Sequence, residues 1–294
     1  MAMKGTDFPP LHIIPPQPEH PHTNTAIMIH GRGSDGPEFA EEIFSATLSE
    51  REGDDLRSRF PGWRWIFPSS RSLWSSTFQE ESSQWFDIYS LTDVDAKQDL
   101  QMEGIRGSTK YLLRLMDKEI ERLRQAREKL FVCGISQGGA IGLWTILCQK
   151  SSLRNIGGFI GLSCWLPFAE VIKCCLQSVN DSSQKSSGSF DVVEAAKFVA
   201  SMMADTKSIL TKRDGAGSFL RTPVFLGHGI DDAYVDVTLG RKLRDVLELI
   251  GLAPVWREYT GAGQEGHWIK EPEELVDIAG FLAAQAEKSA VQNT

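Results

Sequence analysis

The chain has 294 residues, 41% of them hydrophobic and 24% charged, which is ordinary for a globular protein and enough for one large α/β domain or two small ones. Its formal net charge of −8 argues against a nucleic acid as partner. No apolar run reaches the length of a membrane span, and no secretory, myristoylation or lipidation signal is found. The five cysteines lack the spacing of metal ligands, so we expect reduced thiols, a cytoplasmic location and no metal.

The first predicted elements are an extended lead-in and a strand. Residues 1–24 are rich in proline and histidine, which favours extended backbone. The apolar segment 25–29 predicts a strand that runs into a glycine-rich turn containing Arg32. This turn lacks the glycine spacing of nucleotide-binding loops. We interpret it as a loop whose Arg32 N–H donates to a reacting carbonyl, with an ordinary strand–helix loop as the alternative.

The next stretch contains aromatic residues on a predicted loop. The pattern predicts a helix over 38–59, a strand over 63–68, a long loop over 69–103 and an amphipathic helix from Ile105. The loop carries four aromatic residues, Trp74, Phe78, Trp85 and Phe86. Exposed aromatic side chains on a long loop favour the wall of a binding site, and simple packing is the alternative.

A Gly-x-Ser-x-Gly motif follows the next apolar run. Residues 129–135 predict a buried strand, and the apolar segment after Gly139 predicts a buried helix. Ser136 then lies at the apex of a sharp turn, where Gly134 and Gly138 relieve crowding because they have no Cβ. The N–H of Gln137 would lie at a helix N-terminus, which favours anion binding.

The second half of the chain alternates strands and helices around one insertion. We expect a strand over 157–162, a strand over 222–229, a helix over 237–250, a strand over 254–259 and a final helix that opens at Pro272. Residues 168–220 are interpreted as an insertion, with helices near 169–176 and 192–210 and a flexible, serine-rich part at 180–189. This insertion is either a lid over the cleft or an inert surface excursion.

Repeated strand–helix units predict a mostly parallel, doubly wound sheet with helices on both faces. Functional residues in such sheets gather at the carboxyl ends of the strands. Four features fall at predicted strand ends, namely Arg32, Ser136, the pair Asp231–Asp232 and His267. Their order, serine then aspartate then histidine, is the one that α/β-hydrolases use.

Nearly the whole sequence resembles the acyl-protein thioesterase/lysophospholipase/carboxylesterase family of α/β-hydrolases. The matching stretches are His30-Gly31-Arg32-Gly33, Trp85-Phe86-Asp87, Gly134-Ile135-Ser136-Gln137-Gly138-Gly139, Gly161-Leu162-Ser163-Cys164-Trp165-Leu166-Pro167, His228-Gly229-Ile230-Asp231-Asp232 and Gly266-His267. The runs at 85–87 and 163–167 distinguish this family from other hydrolases.

The resemblance implies a single α/β-hydrolase domain over 1–294 with a Ser136–His267–Asp232 catalytic triad. It also implies that the N–H groups of Arg32 and Gln137 form the oxyanion hole. Family members usually have Asp-Pro where this chain has Asp232-Ala233, so Asp231 stays open as the triad acid. They also have a shorter connection in place of 168–220.

We therefore expect a serine hydrolase that cleaves acyl thioesters or carboxylic esters through an acyl-enzyme, with no cofactor and no nucleic acid or membrane-spanning segment involved. The substrate would be an acylated protein, a lysophospholipid or a small ester. Trp85, Trp165 and Leu166 would form an apolar cleft for the acyl chain. The alternatives are a non-catalytic acyl-binding module on the same fold and an amide or peptide hydrolase. The sequence leaves the oligomeric state open.

Overall fold

The computed structural model describes residues 8–90, 92–149, 155–177, 190–204 and 222–291. Within these residues the strands are β1 (His12–Ile14), β2 (Asn24–Ile29), β3 (Trp63–Phe67), β4 (Arg71–Ser75), β5 (Glu80–Gln84), β6 (Leu130–Ile135), β7 (Gly158–Leu162), β8 (Val224–Gly229) and β9 (Val255–Tyr259). The helices are α1 (Gly36–Ser45), α2 (Leu56–Arg59), α3 (Asp99–Arg122), α4 (Gln137–Leu147), α5 (Ala169–Gln177), α6 (Phe190–Met202), α7 (Val237–Leu249) and α8 (Glu273–Val291).

Seven of these strands form one sheet in the order β1-β3-β2-β6-β7-β8-β9. Strand β1 pairs antiparallel with β3, and every other neighbouring pair in the sheet is parallel. The chain winds outward from β2 to β3, and then returns to place β6 on the other side of β2. Ligands of open α/β sheets bind at the carboxyl ends of the strands beside such a reversal. The fold therefore places a crevice at the ends of β2 and β6.

Alternating side chains of the strands supply two hydrophobic cores, one on each face of the sheet. In β2, Ile27 and Ile29 belong to one core, whereas Ala26 and Met28 belong to the other. Helices α3, α4, α5, α6 and α7 contribute to the first core, and α1, α2 and α8 to the second. A strand covered on both faces favours apolar residues at every position, which is why β6 and residues 26–29 of β2 are apolar without interruption. The predicted doubly wound architecture is confirmed.

Three features differ from the sequence-based predictions. The predicted helix over 38–59 is wrong as one element, because α1 ends at Ser45 with Ala46 in extended backbone and α2 begins only at Leu56. Strand β1 lies within the predicted lead-in. The predicted loop over 69–103 contains an antiparallel hairpin, β4–β5. Much of this hairpin is serine and glutamate with exposed side chains, so it lacks the apolar alternation by which strands are recognised.

The described part of the predicted insertion forms two helices, α5 and α6, close to the predicted ones. Their side chains Ile172 and Phe198 are buried in the first core. Phe198 packs against Trp144 of α4, with ring centroids 5.5 Å apart. The serine-rich part at 180–189 lies outside the described residues. The described portion of the insertion is therefore anchored to the body of the fold by apolar packing.

Candidate active site

Ser136 lies at a sharp turn between β6 and α4. Its φ of 54° and ψ of −126° place it in the left-handed region that non-glycine residues rarely occupy. A Cβ on Gly138 would overlap the carbonyl oxygen of Ile29, and one on Gly134 would overlap the carbonyl oxygen of Gly138. The Ser136 N–H donates to the carbonyl of Leu162 at 2.8 Å. The two glycines of the motif are therefore required by close backbone packing, as predicted, and the packing maintains the strained serine.

The glycine-rich turn after β2 lies directly beside Ser136. A Cβ on Gly31 would be 3.4 Å from the Cβ of Ser136. Among the described residues, the Arg32 N–H makes no hydrogen bond, whereas the neighbouring Gly33 N–H donates to the carbonyl of Ser83 in β5. The Gln137 N–H belongs to the first turn of α4, which has no acceptor within the helix. Two backbone donors thus flank the serine hydroxyl.

The buried His30 supports this turn in its neutral form. The Ser70 N–H donates to Nε2 of His30 at 3.0 Å, so the ring proton is on Nδ1, which donates to the carbonyl of Gly31. Burial lowers the pKa of His30, in agreement with a neutral ring. The Trp85 indole N–H donates to the His30 carbonyl at 2.9 Å. His30 therefore fixes the backbone of the turn.

The Gln137 side chain ties the 85–87 run to the start of α4. Its carboxamide oxygen accepts from the Trp85 N–H at 2.8 Å, and its carboxamide nitrogen donates to the Phe86 carbonyl at 2.8 Å. All three residues are buried. Asp87 accepts from the Ser76 N–H at 2.9 Å and so holds the turn of the β4–β5 hairpin. The sequence analysis assigned Gln137 only its backbone N–H and missed this side-chain clamp.

Asp232, and not Asp231, contacts His267. Nδ1 of His267 donates to Oδ2 of Asp232 at 2.8 Å, and Oδ1 accepts from the N–H groups of Tyr234 and Val235, each at 2.9 Å. The Asp232 side chain is fully buried, so these hydrogen bonds replace its hydration. Asp231 instead accepts from the Gly261 N–H at 2.8 Å. The two adjacent carboxylates therefore have separate roles.

His228 is hydrogen-bonded to the loop that carries Asp232. Its Nε2 donates to the Val235 carbonyl at 2.8 Å and lies 3.5 Å from Oδ2 of Asp232. Burial lowers the pKa of His228, which favours the neutral ring. A Cβ on Gly266, which has a φ of 83°, would be 2.5 Å from the Asp231 carbonyl oxygen. The aspartate and histidine loops are thus packed together through their backbones.

A cavity of about 520 Å³ joins these groups. Arg32, Ser136, Gln137 and His267 all line it, and Asp232 lies directly behind His267. Within the described residues the Ser136 hydroxyl makes no hydrogen bond with His267. Such hydrogen bonds are often long in ligand-free enzymes and tighten when substrate binds. The structure therefore brings together in one cavity the groups that acyl transfer requires.

Of the three residues predicted to contact an acyl chain, Trp165 lines the cavity. Trp85 and Leu166 are 0% and 3% exposed and are not among the residues that line it. Trp85 lies beneath the Arg32 turn, where its indole supports the backbone. Other apolar residues that line the cavity were not predicted, among them Ile88, Val94, Ile135, Tyr234, Val235 and Trp268. Trp268 and Tyr234 could have been found from the sequence, because Trp268 directly follows His267 and Tyr234 lies two residues after Asp232.

Cysteine and metal chemistry were also considered in the described ranges. No group of three histidine, cysteine or acidic side chains there has a geometry that holds a metal ion. Burial raises the pKa of the Cys133 thiol to about 12, and Cys164 is buried beside it with a pKa also raised by burial. Both thiols act as small apolar groups in the core. No helix among the described residues is long and apolar enough to cross a membrane.

Comparison with known proteins agrees with this architecture. The sequence model of the phospholipase/carboxylesterase family matches residues 13–214. Acyl-protein thioesterase 1 of Gibberella zeae is 27% identical over 267 residues, which cover 90% of this chain and 91% of that protein. A probable carboxylesterase of Oryza sativa subsp. japonica is 30% identical over 259 residues, which cover 87% of this chain and 75% of the relative.

Solved structures show the same fold. The crystal structure of Zea mays acyl-protein thioesterase 2 superposes with a TM-score of 0.61 at 22% identity, and covers 94% of this chain and 99% of that one. Fold and comparisons define an α/β-hydrolase of the carboxylic-ester/thioester hydrolase class. The chain belongs to the phospholipase/carboxylesterase family.

The packing at Gly138 predicts that Gly138→Ala destabilises the protein by more than about 3 kcal/mol, because the new methyl group displaces the end of β2. Gly280→Ala is the matched control, since a Cβ there has no atom within 4 Å in the middle of α8, and we expect it to stabilise by about 0.5–1 kcal/mol. Urea unfolding measures both. Equal stability of Gly138→Ala and the wild type would contradict the packing.

The Gln137 clamp predicts that Gln137→Leu lowers the free energy of unfolding by roughly 2–4 kcal/mol, because a buried N–H and a buried carbonyl lose their partners. Gln149→Leu is a matched control: Gln149 is equally buried, but among the described residues its carboxamide oxygen has no partner and its nitrogen contacts only the sulfur of Met116. We expect the control to change stability by less than about 1 kcal/mol. Similar losses in both variants would show that Gln137 acts only by its volume.

Proposed function

We propose that the protein hydrolyses acyl thioesters or carboxylic esters through an acyl-enzyme on Ser136. The observation that carries the proposal is the 2.8 Å hydrogen bond between His267 and the buried Asp232, at a cavity that Ser136 also lines. Membership in the phospholipase/carboxylesterase family supports the same chemistry. On the same basis we propose that residues 1–294 act as one hydrolase domain.

In the proposed first step, the Ser136 oxygen attacks the acyl carbonyl carbon while Nε2 of His267 takes the hydroxyl proton. Asp232 holds the proton on Nδ1 and stabilises the imidazolium that forms. The carbonyl oxygen becomes an oxyanion, which the N–H groups of Arg32 and Gln137 stabilise. Loss of one such donor typically lowers the rate by about a hundred- to a thousandfold.

In the proposed second step, the tetrahedral species collapses and the bond to the leaving oxygen or sulfur breaks. The imidazolium of His267 gives its proton to that leaving group. Water then loses a proton to His267 and attacks the ester of Ser136, and the carboxylic acid product leaves as the serine hydroxyl is restored. The chemistry of this chain therefore needs no cofactor.

We further propose an acylated protein as the substrate, with a lysophospholipid or a small ester as the other candidates. The support for the first is that the Gibberella zeae relative is an acyl-protein thioesterase. Trp165, Ile88 and Val94 supply an apolar lining for an acyl chain. The free thiols of Cys133, Cys148 and Cys164 suit a reducing compartment and support a cytoplasmic location.

The test is hydrolysis of p-nitrophenyl butyrate and of an uncharged butyryl thioester by the wild type and by Ser136→Ala. We expect both substrates to be hydrolysed, and Ser136→Ala to lower kcat/KM by at least about a thousandfold, since the nucleophile is lost. More than a tenth of the activity remaining in Ser136→Ala would overturn the proposal. Fatty-acyl binding by folded wild type without any turnover would instead indicate a non-catalytic module.

The adjacent aspartates give the control. Asp232→Asn should lower kcat by about a thousand- to ten-thousandfold, because the amide no longer stabilises the imidazolium. Asp231→Asn retains an acceptor for the Gly261 N–H and should change kcat by less than about threefold. The reverse ranking would assign the triad acid to Asp231.

A further inference from the structure

The lining of the catalytic cavity has more acidic than basic side chains. Glu38 and Glu42 lie on α1, Glu265 lies two residues before His267, and all three line the cavity. Within the described residues none of the three carboxylates forms an ion pair. Burial, together with the charges of Glu38 and Glu41, raises the pKa of Glu42. The three residues, hereafter the acidic wall, therefore bring three like charges to the lining of one cavity.

One basic side chain, that of Arg32, lines the same cavity. Its guanidinium carbon lies 4.2 Å from the ring centroid of Phe78 at the turn of the β4–β5 hairpin. On the histidine loop, Lys270 donates to the carbonyl of Gly261 at 3.2 Å. Arg32 keeps its charge in the contact with Phe78, so the lining holds three carboxylates and one guanidinium and is negative in formal charge.

Part of the apolar lining, namely Trp165, Ile88 and Val94, comes from other segments of the chain than the acidic wall. Trp165 packs edge-on against Phe86, with centroids 6.1 Å apart, which places the loop carrying Ile88 and Val94 beside it. On the other side, Phe39 of α1 packs edge-on against Trp268 at 6.1 Å, which joins α1 to the histidine loop. The cavity therefore has one apolar wall and one wall that combines carboxylates with aromatic rings.

An ester or thioester has two ends, and the two walls differ in what they bind. The acyl chain is apolar and suits the wall of Trp165. Carboxylates beside aromatic faces attract cations through charge and through the ring quadrupole. We propose that the acidic wall binds the leaving group of the substrate and that this leaving group is positively charged. This inference rests on the proposed function, because it assigns the two ends of the substrate of that same cavity.

The cation has two possible sources, which share one chemistry. It is either a lysine or arginine side chain next to the acylated residue of a protein, or the ammonium group of a small alcohol or thiol. Glu38 and Glu265 are exposed and Glu42 is half-buried, so solvent screens each contribution. We expect the three together to favour a cationic over an anionic leaving group by about tenfold or more at low ionic strength.

The test compares kcat/KM for three thioesters that share a butyryl group: thiocholine (cationic), mercaptoethanol (neutral) and thioglycolate (anionic). Each value is divided by the alkaline hydrolysis rate of the same compound, which removes differences in leaving-group reactivity. The corrected kcat/KM is expected to be highest for the cationic thioester, lower for the neutral one and lowest for the anionic one, and added salt should reduce the differences.

A second arm uses butyrylated cysteine peptides flanked by lysine or by glutamine. Preference for lysine peptides assigns the cation to proteins, and preference confined to thiocholine assigns it to small molecules.

The variant Glu38→Gln/Glu42→Gln/Glu265→Gln should reduce the cationic-to-anionic ratio to within about threefold of one. The control is Glu41→Gln, an exposed carboxylate on the same helix that does not line the cavity, and it should retain the ratio of the wild type. A wild-type ratio near one, or an unchanged ratio in the triple variant, would overturn the inference while Ser136-dependent hydrolysis of the neutral thioester continues. Failure of that neutral hydrolysis would instead overturn the proposed function.

Discussion

The start of α4 lies so close to the end of β2 that no side chain fits at position 138. This contact sets the positions of the groups around Ser136. It fixes the serine in its strained conformation and brings the turn at Gly31 and Arg32 within van der Waals distance of it. Two strands separated by about a hundred residues thus end at turns whose residues Arg32 and Gln137 line the same cavity. Strain at the serine is maintained because the surrounding sheet and helix leave it no alternative.

Around this contact, buried polar side chains act on the backbone rather than on substrate. His30 and His228 are both neutral, with pKa values lowered by burial, and each supports a turn that carries a site residue. The carboxamide of Gln137 does the same for the 85–87 run. Each of these groups is hydrogen-bonded, so its burial adds rigidity without leaving an unpaired charge. Buried side chains therefore hold the backbone of the turns that carry the site residues.

Sequence patterns predicted the doubly wound sheet because β6, β7 and residues 26–29 of β2 are covered on both faces and are apolar throughout. The motif glycines likewise predicted the turn at Ser136. The β4–β5 hairpin was missed because its exposed strands lack apolar alternation, and the burial of Trp85 was missed because a loop sequence does not reveal what packs over it. Asp231 and Asp232 are chemically identical in sequence, so only side-chain geometry separates them. The acidic wall joins α1 to a loop more than two hundred residues away, and no local pattern connects them.

The central claim is that Ser136 carries the acyl group during turnover. Acid quench of the protein during steady-state hydrolysis of a butyryl thioester, followed by peptide mass spectrometry, tests it directly. The account predicts a butyryl adduct on the peptide containing Ser136, and its accumulation when His267→Ala slows the attack of water on a pre-formed adduct. Turnover with the acyl group on another residue, or with no covalent adduct even when deacylation is slowed, would contradict it.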